Sequence, residues 1–283
     1  MTDTPFPVRS ERLANRVAVV FGAGSVGPGW GNGKASAVAY ARAGATVVCI
    51  DVNPSASDET AALIAADHGS SLSLACDITS LDAVTKTVDT IIARFGHIDI
   101  LHNNVGHATM GGPPDLSEEQ WRREMDLNIT GMFFTCKQVI PAMLERGKGV
   151  ITNISSVAAI RYTGYPYSVY YASKGAVNQF TVGLALQYAK QGLRANAIMP
   201  GLMDTPMIYQ QISSAYGSTE DMVKARHESA PMGRMGTGWD IANAAVFLAS
   251  DEASYITGVC LPVRCQAERM VRPPSTGRQT PVM

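Results

Sequence analysis

From residue 17 onward the chain alternates two textures. Short unbroken apolar runs, "VAVVF" (17–21), "TVVCID" (46–51), "IDILHNN" (98–104), "GVITNIS" (149–155) and "LRANAIM" (193–199), have the length of strands. "SLSLACD" (71–77) and "YITGVCLPV" (255–263) bring the set to seven. Continuous apolar runs, not alternating ones, mark strands covered on both faces. Between them lie stretches with helical spacing. One covers 34–43 and stops at Gly44; another is "ASDETAALIAADHG". The segment 80–96 opens on Ser80 and stops at Gly96, and 117–147 opens on Ser117. A long one, 168–192, ends at Gly192. Hydroxyl caps and terminal glycines are the expected punctuation of helices. The order predicts an α/β fold: a doubly wound, mostly parallel seven-stranded sheet with helices on both faces.

No linker or composition shift interrupts residues 13–263, which read as one domain after a short extension, 1–12. The tail 264–283 is polar, proline-containing and without period, an expected extended arm. Of 283 residues, 23 are Lys or Arg and 24 Asp or Glu, giving a net charge of −1. A near-neutral chain lacks the basic surface that a nucleic-acid partner needs. No segment approaches the ~18 apolar residues of a membrane span, and the start has no signal-peptide core. The five cysteines show no C-x-x-C spacing. They read as reduced thiols of a cytoplasmic protein. The five histidines lack metal-ligand spacing, so no metal is expected.

The first strand breaks into "GAGSVGPGWGNGKASA" (22–37). Glycines between a strand and a helix let a phosphate approach bare backbone N–H groups and the positive helix end. A P-loop would need glycine at Pro28 and a hydroxyl at Ala35. Gly22, Gly24 and Gly27 instead match the dinucleotide spacing G-x-G-x-x-G. Further on, Tyr170 and Lys174 lie four apart on one helix face. An ammonium beside a phenol lowers the phenol pKa and fits it for proton transfer to an alcohol oxygen. Tyr171 falls off that register. Ser156 ends the fifth strand; Ser155 would face the other way.

Glycine turn, Asp51, Asp77, "NNVG" (103–106), Asn128, Ser156, Tyr170-Lys174 and "PGLMDT" (200–205) follow one another at strand ends. This order resembles the single-domain branch of the short-chain dehydrogenase/reductase family, over about residues 13–263. The resemblance implies a Rossmann-like fold and a nicotinamide cofactor. It implies that Tyr170 donates or accepts the proton, Lys174 lowers its pKa and holds the nicotinamide ribose, and Ser156 hydrogen-bonds the substrate oxygen. Asn128 would hold a water of a proton relay. Gly22, Gly31, Asn32 and Gly33 would surround the cofactor phosphates. Asp51 would face the ribose, with Asp77 and Ile78 beside the adenine. Asn104, Val105 and Gly106 would line the cofactor, and Pro200, Gly201 and Thr205 would reach its carboxamide.

Some residues depart from the pattern. Phe21 replaces the usual threonine, five extra residues centred on 26–30 lengthen the turn, and Arg264-Cys265-Gln266 stands where D-G-G is usual. The insertion is expected to be a lid or merely a longer turn. Asp51, followed by Val52-Asn53-Pro54 with no basic residue, favours NAD over NADP, because a 2′-phosphate would meet like charge. Asp51 could also simply cap a turn, and Asp77 a helix. Asn128 could cap a broken helix. "HATMGGPPD", "VAAIRYTGYPYSV" and 202–235 are expected to line an apolar, ring-sized substrate site. Its candidates are Met110, Tyr162, Tyr165, Met203, Met207, Ile208, Tyr209, Tyr216 and Met232. Arg161 is either a carboxylate ligand or a solvated charge. The activity expected is secondary alcohol–ketone interconversion. A non-catalytic nucleotide-binding scaffold on the same fold is the alternative. Apolar residues on several faces of the two long helices, among them Met132, Phe133, Phe134, Phe180, Val182 and Leu186, predict a homo-oligomer, a tetramer as in many relatives.

Overall fold

The computed structural model describes residues 8–213 and 216–265. The expected arm is described only at Arg264 and Cys265; the rest of it lies outside the described residues. Seven strands form one sheet in the order β3-β2-β1-β4-β5-β6-β9. They are β1 (Val17–Phe21), β2 (Thr46–Asp51), β3 (Ser71–Ala75), β4 (Ile100–Asn103), β5 (Gly149–Ile154), β6 (Leu193–Pro200) and β9 (Cys260–Val263). Every neighbouring pair is parallel. A separate two-residue ladder joins β7 (Met203–Asp204) to β8 (Gly236–Thr237). The molecule is therefore a single Rossmann-like α/β domain.

Alternation along each strand separates two cores. Ala18, Val20, Val47 and Cys49 face the layer containing α1 (Asn32–Arg42) and α9 (Gly238–Ala249). Val17, Val19, Phe21, Val48 and Ile50 face the opposite layer. That layer is built by α3 (Leu81–Phe95), α5 (Gly131–Glu145) and α6 (Ser168–Tyr188). Phe21, the departure from threonine, is thus a core residue with 1% exposure. Pro262 sits in β9, the sheet edge, where a missing N–H costs no ladder bond.

Ser80 caps α3 by accepting from the Ala83 N–H, and Gly96 ends it at φ 77°. Ser117 and Gln120 form a reciprocal capping box on α4 (Glu118–Met125). The long helix expected over 117–147 runs unbroken from Glu118 to Glu145, with a π-helical turn, Asp126–Thr130, between α4 and α5 (Gly131–Glu145). Asp77 is not a helix cap. Its Oδ1 accepts from Thr79 N–H at 2.9 Å, and α3 begins at Ser80. Asp51 caps the turn after β2, its Oδ1 accepting from Asn53 N–H at 3.0 Å, and Asn53 in turn caps α2 (Pro54–Ala66). Of the expected contact residues, Met132 is buried in the core, while Phe133 and Leu186 are exposed.

Candidate active site

Chain order along the sheet reverses between β1 and β4, and a crevice opens where their carboxyl ends part. The Asn104 side-chain amide crosses it, donating to Gly22 O at 2.9 Å. Gly22 needs its freedom, with φ at +80°. A Cβ on Gly33 would stand 1.9 Å from Gly22 O, and one on Gly24 would stand 2.7 Å from Asp51 Oδ2. Gly31 caps α1 without a side-chain bond, and the first turn carries no acid. A tight glycine cradle at an uncapped, acid-free helix start fits a dinucleotide pyrophosphate. Asp51 ends β2 beside it. Its Oδ2 accepts from Gly24 N–H and its Oδ1 from Asn53 N–H, each at 3.0 Å. The carboxylate therefore fastens the glycine turn to β2 as well as facing the crevice.

Two adjoining cavities fill the crevice. The larger is lined by Gly22, Asp51, Asp77, Ile78, Asn104, Val105 and Gly106. The other, about 220 Å³, is lined by Gly31, Asn32, Ser156, Tyr170, Lys174, Pro200, Gly201 and Thr205. Asn104 and Gly106 line both. Gly33 and Asn128 line neither. Ser156 leaves β5 extended; its hydroxyl accepts from Ala158 N–H at 3.1 Å, and it lines the same cavity as Tyr170. The Ser155 hydroxyl instead donates to Lys174 O. The Tyr171 hydroxyl is taken up by Thr163 and Tyr165 O. Lys174 Nζ donates to Ile154 O at 3.0 Å and stands 5.6 Å from the Tyr170 ring centre.

The lowered phenol pKa does not hold in this geometry. Burial pushes Tyr170 up to about 12, against the opposing effect of the nearby Ser156 hydroxyl, and the Glu124 carboxylate adds to the rise. Burial also pulls Lys174 down to about 8, opposed by Glu124. The lysine spends its proton on a backbone carbonyl and not on the phenol. Desolvation is the largest cause of both shifts.

Glu124 carries no earlier expectation. It is fully buried in α4; its Oε2 accepts from Thr109 N–H at 2.6 Å and lies 3.7 Å from His107 Nδ1. Helix amphipathicity gave no signal for an acid turned inward. Asn128 belongs to the π-helical turn; its Oδ1 accepts from His107 N–H and its Nδ2 donates to His107 O, each at 2.8 Å. Its amide also donates to Ser173 Oγ. The side chain thus clamps the strand-following loop and does not cap a break.

The family model described as "Enoyl-(Acyl carrier protein) reductase" matches residues 28–265. The chain belongs to the short-chain dehydrogenase/reductase family. It is 37% identical over 248 residues to 2-keto-3-deoxy-L-fuconate dehydrogenase of Xanthomonas campestris pv. campestris, covering 87% of this chain and 78% of that one. It is 36% identical over 254 residues to 2,5-dichloro-2,5-cyclohexadiene-1,4-diol dehydrogenase LinX of Sphingobium indicum, covering 90% and 96%. A crystal structure of NAD+-bound xylitol dehydrogenase superimposes with a TM-score of 0.82 at 32% identity, covering 89% of this chain and 99% of that one. These relatives make this chain an oxidoreductase.

In this short-chain dehydrogenase/reductase several expected wall residues lie elsewhere. Tyr165, Met203, Met207 and Ile208 line the smaller cavity. Met110 and Tyr216 instead join an aromatic cluster beside it. Tyr162, Tyr209 and Met232 are exposed and do not line it. Arg161 is also absent from the wall; the arginine there is Arg226 of α8 (Thr219–Ser229). The residues after Asp51 predict a cofactor-side cavity without cations, and the fold corrects this. Arg122 and Arg123 of α4 line that cavity, with Arg122 paired to Glu118 at 2.7 Å. Sequence gave no signal for them, because α4 folds back from far along the chain. The 26–30 insertion leans on α7 (Pro206–Gln211), with Gln210 Nε2 donating to Val26 O at 2.6 Å.

Proposed function

We propose that the chain is an NAD(H)-dependent dehydrogenase that interconverts a secondary alcohol and a ketone. One observation carries the reading: Tyr170, with Lys174 beside its ring, lines together with Ser156 the cavity that adjoins the glycine cradle. A bound nicotinamide supplies or accepts the hydride. Tyr170 gives its proton to the ketone oxygen in reduction and takes the hydroxyl proton in oxidation. Ser156 hydrogen-bonds that oxygen and aligns it with the phenol. Lys174, close to Gly106 and Tyr170, would hold the ribose and carry positive charge next to the phenol in the complex. Asn128 fixes the loop that carries Gly106 and His107. Gly22, Gly31, Asn32 and Gly33 would hold the pyrophosphate. Asp51 would hold the adenosine ribose, and Asp77, Ile78 and Val105 the adenine side. Pro200, Gly201 and Thr205 would hold the carboxamide.

NAD is preferred because the Asp51 carboxylate ends β2 with both oxygens on backbone donors and, among the described residues, in no ion pair. Arg122 and Arg123 share the groove with Glu118, Glu119 and Asp126, which offset them. Asp51→Asn keeps the shape and removes the charge. It is expected to raise NADP efficiency at least tenfold relative to NAD; an unchanged ratio overturns the assignment. The relatives act on a sugar-derived keto acid and a ring diol by name, and a small apolar or ring-bearing alcohol or ketone suits the 220 Å³ cavity with its Tyr165, Met203, Met207 and Ile208 wall. The reading includes a cytoplasmic homotetramer. Five free cysteines support a reducing compartment, and the described residues contain no helix long and apolar enough to cross a membrane. The primary test is a panel of secondary alcohols and ketones followed by nicotinamide absorbance. Tyr170→Phe should cost ~10²–10⁴-fold in turnover with cofactor binding kept. Retention of most of the rate overturns the role of Tyr170.

A further inference from the structure

Arg226 lies on α8 with 5% exposure and lines the same small cavity as Tyr170 and Ser156. Its surroundings are unusual for a guanidinium. The one hydrogen bond its side chain makes among the described residues runs from Nε to Met235 Sδ, 3.3 Å away, a weak acceptor. No carboxylate of the described residues lies within ion-pair reach of it. The polar groups that sense its charge are the phenols of Tyr167, Tyr209 and Tyr216. Burial raises all three, so none supplies a negative charge near neutral pH. The cavity's other cation, Lys174, is already engaged by Ile154 O.

A buried arginine without a counter-ion costs folding free energy, whereas an apolar residue would fill the same volume at no such cost. The terminal nitrogens form a planar fork suited to two oxygens of one anion. Resting on the dehydrogenase reading of this site, we infer that the substrate carries a carboxylate, which pairs with Arg226 while its carbinol or carbonyl carbon sits at Tyr170 and Ser156. The substrates are then hydroxy acids and oxo acids. The neutral tyrosine and methionine wall contacts the carbon chain between the two ends. Arg226 acts in specificity: it orients the substrate and takes no part in the proton transfer.

The test uses 3-, 4- and 5-hydroxy carboxylates, each against its primary amide, with NAD and the full chain. At least one acid is expected to exceed its amide tenfold or more in kcat/KM. Arg226→Gln should erase that gap mainly through KM, and Arg226→Lys should restore part of it. Equal rates for acid and amide in the parent enzyme, or a gap that survives Arg226→Gln, overturn the inference. Melting supplies a control that a structural arginine would fail. Removing an unpaired buried charge should leave the Tm of Arg226→Gln unchanged or higher, and a marked drop overturns the inference. If no hydroxy compound of either kind is oxidised, the dehydrogenase reading fails separately. Calorimetry with 4-oxopentanoate then decides the anion site. Saturable binding to the parent, lost in Arg226→Gln and kept in Arg226→Lys, supports it; no binding to the parent overturns it.

Discussion

Tyr170 at about 12 and Lys174 at about 8 set opposite pH demands on the two directions. Reduction uses the phenol as it stands, so ketone turnover should be nearly level below about pH 8 and fall as Lys174 loses its charge. Oxidation needs the phenol to part with its proton, so alcohol turnover should climb with pH. A plateau in kcat/KM for oxidation already at pH 7 would contradict this. Lys174 also carries a stability cost. Its folded pKa lies below the ordinary 10.5, so the unfolded chain holds the extra proton between about 8 and 10.5. The penalty is fully present below about 8 and fades as pH rises through that window. A shift of this size corresponds to something on the order of 3 kcal/mol. Lys174→Met should therefore melt higher than the parent at pH 7, with a smaller gain at pH 10, while losing activity; thermal melts at both values check it. Tyr170 and Lys174 stand at a four-residue spacing that is common by chance, and they became legible as a site only through the order of the other motifs along the chain. Their pKa values were not legible, because the walls that desolvate them and the Glu124 carboxylate come from other elements.

Caps and stops are local chemistry, which is why Ser80, Gly96 and Ser117 could be read directly from the chain. The π-helical turn could not, because it depends on Asn128 gripping the His107 backbone across 21 residues. The glycine turn lies between these cases: its role was legible, its individual constraints were not. Gly33 is the tightest position, since a Cβ there would stand 1.9 Å from Gly22 O. Gly33→Ala should lower Tm by several degrees and weaken NADH binding at least tenfold. Gly27→Ala is the matched control, with its nearest neighbour at an ordinary 3.5 Å. Melting and NADH titration compare them, and equal behaviour would show that the clash is relieved cheaply. Arg226 escaped the sequence for the reason that Glu124 did. A charge within an amphipathic helix looks solvated until the helix that covers it is known.

At the scale of the molecule, both flanks of the sheet are protected, β9 by Pro262 and β3 by serine-rich, half-buried residues. Open-edge pairing is thus disfavoured, and association should run through helices instead. Phe133 of α5 is 46% exposed and Leu186 of α6 is 73% exposed. Sedimentation should show about 120 kDa, four chains of 30.1 kDa. Phe133→Asp with Leu186→Asp should shift that species toward the single chain; a single-chain species in the parent at micromolar concentration refutes the tetramer. The chain has three tryptophans. Trp30 at the root of the insertion and Trp239 in α9 bring their rings to 4.6 Å, inclined at 51°, while Trp121 is exposed on α4. Two indoles so close and so skewed share their excited states. The protein should therefore carry a built-in optical signal: a split pair of circular-dichroism bands that Trp30→Phe erases and Trp121→Phe leaves intact. Any ligand that shifts the 26–30 loop would then be seen without an added dye.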